Sequence, residues 1–230
     1  MGRDDEHHRA GSYASPPCLM HELDPAYRDL MPDDDPQQRR DVMRWRKAER
    51  QRLLDARMAL SQEDRRKGGE EIASRLTEVL GDVAGKAVSF YWPFKGEPDL
   101  RGVMEEVWSR GGRALLPIVA EKNAPLIFRT WRAGEPLGRG IWNIPVPEKG
   151  DEATPDIVIA PVVGFDRSCY RLGYGGGYYD RTLASLPVQP RAIGVGYDEA
   201  AIPTIYPQSH DVPMELVVTP DGVHEPEAEA

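Results

Sequence analysis

GFDRSCYRLGYGGGYYDR, residues Gly164–Arg181, is the stretch on which the fold of this chain turns. It follows the apolar run Asp156–Val163 and holds four glycines, Gly173, Gly175, Gly176 and Gly177, between Arg171 and Asp180. A strand that enters a glycine-rich turn and then opens a helix brings backbone N–H groups close to phosphate oxygens. Glycine suits such a turn because φ becomes positive and a side chain would hold the phosphate away. Arg171 offers a planar cationic fork, and Asp180 a hard oxygen ligand for a phosphate-bound magnesium. Spacing alone leaves two readings open, a phosphate cradle and a plain turn, since glycine-rich loops are common. The order of the run, one arginine before the glycines and Tyr178-Tyr179-Asp180-Arg181 after them, weighs toward the cradle.

Outward from this loop the pattern alternates. Ile157–Val163 is nearly continuous in apolar residues, as a central parallel strand should be. Upstream, a strongly basic helix is expected over residues 39–58. Ser61 caps a second helix whose Ile72, Leu76, Val79 and Leu80 share one face. Ala87–Trp92 reads as a strand, and Leu100, Met104, Val107 and Trp108 mark a helix stopped by Gly111-Gly112. Arg113–Val119 and Leu126–Trp131 read as strands joined through Asn123-Ala124-Pro125. Downstream come a helix, then strands at Ala192–Gly196 and Leu216–Val218. Strand–helix repetition predicts a three-layer α/β domain with a mostly parallel sheet flanked by helices. Ligands in such sheets lie beyond the carboxyl ends of the strands, where the glycine loop belongs.

Residues 1–38, rich in proline and acids with little periodic apolar pattern, read as an extended or disordered arm. Residues 39–220 form the folded domain, and residues 221–230 an acidic tail. A net charge of −9 disfavours a general nucleic-acid role. No apolar run approaches the roughly 18 residues of a membrane span, and the N-terminus lacks the apolar core of a signal peptide. Two cysteines, Cys18 and Cys169, make no disulfide framework, so a reducing cytoplasm is expected. Cys18 and His21, with His7 and His8 upstream, are spaced for two metal ligands, but a zinc site wants about four. Packing of Leu19, Met20 and Leu23 is the preferred reading of that segment.

The glycine stretch resembles the C-terminal motif of the 5-formyltetrahydrofolate cyclo-ligase family, GFD…RLGxGGGYYDR. Further landmarks of that family recur in order: LSQEDR (Leu60–Arg65), FYWPFKGEPD (Phe90–Asp99), WNIPVP (Trp142–Pro147) and HDVPMELVVT (His210–Thr219). The resemblance covers about residues 42–220. It implies the fold shared with sugar-phosphate isomerases and CoA transferases. It also implies an enzyme that uses ATP and magnesium (Mg2+) to close 5-formyltetrahydrofolate, a reduced folate, to 5,10-methenyltetrahydrofolate; a monomer is expected, although the sequence does not give the oligomeric state. Phosphorylation of the formyl oxygen makes it a leaving group, with ADP and phosphate as products.

The same resemblance distributes the roles. Arg46 and Arg50, four apart on the basic helix, correspond to a Lys-x-x-x-Arg pair that contacts ATP, with arginine here in place of the usual lysine. Arg171, Leu172, Gly173, Tyr174, Gly175, Gly176, Gly177, Tyr178 and Tyr179 form the rest of the nucleotide site, and Arg50 and Arg171 neutralise the migrating phosphoryl group. Glu97 contacts the folate, where a carboxylate accepts hydrogen bonds from pterin N–H groups. Trp142 and Tyr174 stand on the substrate side, and Phe90, Trp92 and Phe94 are candidates for an apolar slot or for core. Asp180 and Asp211 are the expected magnesium ligands, and Asp166 orients its loop. Cys169 stands where many members have glycine, and Tyr174 where some have a basic residue. A non-catalytic folate- or nucleotide-binding protein on the same frame is the alternative from a different class. A kinase or sugar-phosphate enzyme with a borrowed loop is the third reading.

Overall fold

A computed structural model describes residues 36–227; the arm before them, with Cys18 and His21, lies outside the described residues. The chain divides into two units, Met1–Trp45 and Arg46–Ala230. Of the first, only the opening turns of α1 (Pro36–Ala59) are described, and α1 starts inside the segment that the sequence assigned to the arm. The second unit carries everything that follows.

Ser61 caps α2 (Gln62–Leu80), its hydroxyl accepting the Asp64 N–H at 3.0 Å. Along α2, Ile72, Leu76 and Leu80 are fully buried, a stripe at helical spacing. Each such side chain contributes about 1.5–3 kcal/mol through burial. The chain then runs through β1 (Ala87–Ser89), α3 (Arg101–Ser109), β2 (Arg113–Ile118) and β3 (Ile127–Thr130). Next come β4 (Leu137–Arg139), a 3-10 turn at Ile141–Asn143, β5 (Pro145–Pro147) and β6 (Ile157–Pro161). The remaining elements are β7 (Gly164–Phe165), β8 (Arg171–Leu172), α4 (Tyr178–Ser185), β9 (Arg191–Val195), a 3-10 turn (Asp198–Ala200), β10 (Leu216–Val218) and β11 (Val223–His224).

Seven strands form the main sheet in the order β11-β10-β9-β6-β1-β2-β3. The five inner strands are parallel, and β3 and β11 close the two edges antiparallel. Alternate residues of β6 face opposite layers. Ile157 and Ile159 join Leu76, Met104 and Val107 on the α2–α3 side. Val158 and Ala160 join Leu183 of α4 on the other. The sheet is therefore the middle of three layers, as the alternation of apolar runs predicts.

Four short pieces depart from expectation. The hairpin β4–β5 and the ribbon β7–β8 form small sheets of their own. The stretch after Pro220, expected as a tail, contributes edge strand β11, and Glu227 N–H donates to the Arg167 carbonyl. The strand expected over Ala87–Trp92 ends at Ser89, although Phe90 N–H still donates to Leu115 O. After β6 the chain changes partner within two residues: Val162 N–H donates to Val195 O and Val163 N–H to Leu172 O. That change lifts the glycine loop out of the sheet at its carboxyl edge.

Candidate active site

One face of α1 supplies Arg46, Arg50, Leu53 and Arg57, spaced to lie above one another along the helix. Leu53 and Arg57 are buried, whereas Arg44, Lys47 and Arg52 on the other faces are exposed. Leu53 presses on β7 so closely that a Cβ at Gly164 would fall 2.7 Å from its Cδ1. Below it, the Asp166 carboxylate accepts hydrogen bonds from the N–H groups of Ser168, Tyr170 and Ile205, fixing the turn that leads into Arg171. In that turn Cys169 adopts φ +58°, a conformation natural to glycine and strained for cysteine. Burial pushes its thiol up to about 11, so it stays protonated.

The glycine loop lies among three guanidinium groups. Arg50 Nε donates to Gly173 O at 2.6 Å. Arg171, buried, donates to Asp180 Oδ2 at 2.8 Å and lies 5.1 Å from the Tyr179 ring centre. Arg181 donates to Gly176 O at 2.6 Å and stacks on Tyr178 at 5.1 Å. Gly175 has φ +92°, and a Cβ there would stand 3.3 Å from the Arg50 guanidinium carbon. Burial, and then repulsion by Arg46, lower the Arg50 pKa, so the site disfavours its own positive charge and favours an anion beside it. Gly177 is the N-cap of α4, which places Asp180 in the first turn. Among the described residues four buried side-chain atoms lack a hydrogen-bond partner. Three of them, Arg171 Nε, Asp180 Oδ1 and Arg181 Nε, belong to this loop and the helix it opens, and the fourth is Ser89 Oγ at the end of β1. An unsatisfied buried polar atom costs about 1–3 kcal/mol, so such a cluster marks groups with hydrogen-bonding capacity left for a ligand or water. These atoms and the glycine backbone fit a phosphate-bearing nucleotide, and Asp180 Oδ1 fits a cation bound with it.

Arg46 and Asp211 are otherwise occupied. Arg46 NH1 and NH2 donate to the two Asp211 oxygens at 3.2 and 2.5 Å, while Nε and NH2 donate to Ile205 O and Tyr206 O at 2.9 and 2.8 Å. Gln208 N–H donates to Asp211 as well. The two expected metal ligands therefore stand in separate ion pairs, Asp180 with Arg171 and Asp211 with Arg46. No group of three or more His, Cys, Asp or Glu side chains that could hold a metal exists among the described residues. Leu172 is buried and its carbonyl accepts from Val163, so it backs the loop from the core.

On the substrate side, Glu97 is buried after the carboxyl end of β1. Its Oε1 accepts from Tyr174 OH at 2.7 Å and its Oε2 from Phe94 N–H at 2.8 Å. Burial lifts its carboxyl to about 7, against the lowering effect of those two hydrogen bonds and of Arg57. Phe90 is fully buried core and Trp92 packs edge-on against Trp131 at 5.5 Å, so neither lines a slot. Phe94 does remain beside Tyr174, 6.1 Å between ring centres. Trp142 is 59% exposed at φ +56°, edge-on to Tyr178 at 6.2 Å, and it reaches toward Gly176. Arg57 and Arg181, to which the sequence assigned no role, are part of this constellation. The visible signal for Arg57 was its place seven residues after Arg50, two helical turns along the same face.

Fold and site define a mostly parallel α/β domain with an arginine-ringed glycine cradle at the carboxyl edge of its sheet. The chain belongs to the 5-formyltetrahydrofolate cyclo-ligase family, which it matches over residues 42–220. It is 30% identical over 180 residues to the 5-formyltetrahydrofolate cyclo-ligase of Escherichia coli K12, covering 75% of this chain and 99% of that one. The Mycolicibacterium smegmatis cyclo-ligase is 32% identical over 146 residues, 60% of this chain and 75% of that one. Among solved structures, the 5,10-methenyltetrahydrofolate synthetase of Aquifex aeolicus superposes with a TM-score of 0.69 at 29% identity, covering 80% of this chain and 94% of that one.

Proposed function

We propose that the chain catalyses the ATP- and magnesium-dependent closure of 5-formyltetrahydrofolate to 5,10-methenyltetrahydrofolate, releasing ADP and phosphate. The observation that carries this reading is the meeting of two loops. Those after the carboxyl ends of neighbouring strands β1 and β6 join through Tyr174 and Glu97, beside a cradle with three unpartnered polar atoms. When bound, ATP supplies the phosphoryl group that turns the formyl oxygen into a leaving group. The chain's part is to hold and to neutralise. Backbone N–H groups of Gly175, Gly176 and Gly177 and the guanidinium groups of Arg50 and Arg171 take the phosphates, with Tyr178 and Tyr179 as walls. Asp180 Oδ1 holds the magnesium, a metal that asks for one or two carboxylates. Asp211 instead anchors Arg46, which steadies α1. Glu97 receives pterin N–H groups, and Trp142, Phe94 and Tyr174 flank the ring.

We further propose that residues 39–220 are the catalytic domain and that the protein is a cytoplasmic monomer whose partner is a small reduced folate. The test of the activity is the absorbance of the methenyl product formed from 5-formyltetrahydrofolate by purified protein. Product should require both ATP and magnesium and match ADP one for one. Folate and ATP binding without product would make this a binding protein instead.

A further inference from the structure

Arg57 is the one arginine on the inner face of α1 that touches the folate side rather than the glycine backbone. Its NH2 donates to Val162 O at the end of β6, and its NH1 donates to Tyr174 OH at 3.1 Å. Tyr174 OH in turn donates to Glu97 Oε1 at 2.7 Å, which also lies 4.0 Å from Arg57 NH1. The side chains of Arg57 and Glu97 are only 5% and 3% exposed. The hydroxyl of Tyr174 thus accepts from the arginine and gives its proton to the carboxylate. Each Glu97 oxygen accepts one hydrogen bond and keeps lone-pair capacity for a further donor.

We propose that Arg57 is a positioning residue, acting through Tyr174, that favours the ionised form of Glu97 and aims it to receive the N–H groups of the folate ring. The proposal rests on the assignment of Glu97 to the folate. A buried carboxylate left without a cation neutralises itself by taking a proton, and protonation turns one acceptor site of Glu97 into a donor and removes the charge that strengthens its hydrogen bonds from N–H groups. Other groups around Glu97 do not replace the arginine. Tyr91, Tyr179 and Tyr197 face it as neutral phenols. Arg65 approaches Gly96 and Lys95 lies over Phe94, whereas the ion pair that Glu97 makes among the described residues is with Arg57. The same bridge ties the glycine loop to the folate loop, because Tyr174 belongs to the first and Glu97 to the second.

The test compares wild type with Arg57→Met, Arg57→Lys and Tyr174→Phe. In Arg57→Met the KM for 5-formyltetrahydrofolate at neutral pH should rise roughly tenfold or more, with a much smaller change in kcat. The acid limb of kcat/KM should move to higher pH in Arg57→Met and Tyr174→Phe, and Arg57→Lys should restore most of it. A second readout needs no turnover: the Glu97 carboxyl, followed by carbon-13 NMR in folate-free protein, should titrate at higher pH in Arg57→Met. An unmoved Glu97 titration and acid limb in folded Arg57→Met overturns the proposal. A moved titration in a protein that binds no folate upholds the positioning role and defeats the folate assignment alone. If Arg57→Met does not fold, the same two readouts on Tyr174→Phe decide the matter.

Discussion

Arg46 and Arg50 lie four residues apart on one face of α1, yet the regions around them differ in kind. Arg46 makes four hydrogen bonds, two of them a fork onto Asp211, and the corner it closes has no unpartnered buried side-chain atom among the described residues. Among the described residues the one side-chain hydrogen bond of Arg50 goes to Gly173 O, and three unpartnered atoms stand around the same loop and the start of α4. Two like charges of similar sequence context thus do different work. A closed set of hydrogen bonds is structure, whereas a set left incomplete in a buried place is where a ligand completes it. The expectation that both arginines contact ATP did not include the four hydrogen bonds by which Arg46 is held.

The largest effect should come from filling the incomplete region. Gly175→Val forces a branched residue into positive φ and a Cβ toward Arg50, so ATP-dependent turnover should fall by roughly a hundredfold or more. The thermal melt should change little, because the loop stands outside the sheet. Unchanged turnover in the folded variant would remove the cradle from the mechanism. Next in size is Asp180→Asn, which should raise the magnesium needed for half-maximal rate by roughly tenfold, leaving the folate KM near wild type. A magnesium curve that does not shift would move the metal elsewhere.

A smaller effect follows from the proton on Glu97. Its carboxyl titrates at about 7 in the fold, against about 4.5 when unburied. Between those values the folded state holds the extra proton, so stability falls as pH rises through this window, and Glu97→Gln should flatten that slope. Folate binding, which asks for the ionised form, should run the other way and strengthen by at most about tenfold between pH 6 and 8. Calorimetric titration of folate across that range checks it, and a flat wild-type profile would contradict it.

Much of the frame was legible because it rests on local pattern. The Ser61 cap, the Ile72–Leu76–Leu80 stripe and the continuous apolar β6 each declare themselves within a few residues. The two-residue strands of the β7–β8 ribbon and β11 are too short for any period to show. In the site, the glycine loop could be read from its own composition and order. The partners of its neighbours could not: Arg57 meets Tyr174 across 117 residues, and Arg46 meets Asp211 across 165. Phe90 illustrates the same limit, since an aromatic at a strand end packs equally well in a core or a slot, and its neighbours decide.

The most direct test of the difference between the two arginines is ATP binding by calorimetry, alongside thermal melting, for Arg50→Met and Arg46→Lys. The account predicts that Arg50→Met weakens ATP by roughly tenfold or more while melting near wild type. Arg46→Lys keeps the charge but loses the fork, so it should cost about 1–3 kcal/mol of stability and leave ATP affinity within about threefold. Loss of ATP affinity in Arg46→Lys, with Arg50→Met binding ATP as wild type does, would contradict it.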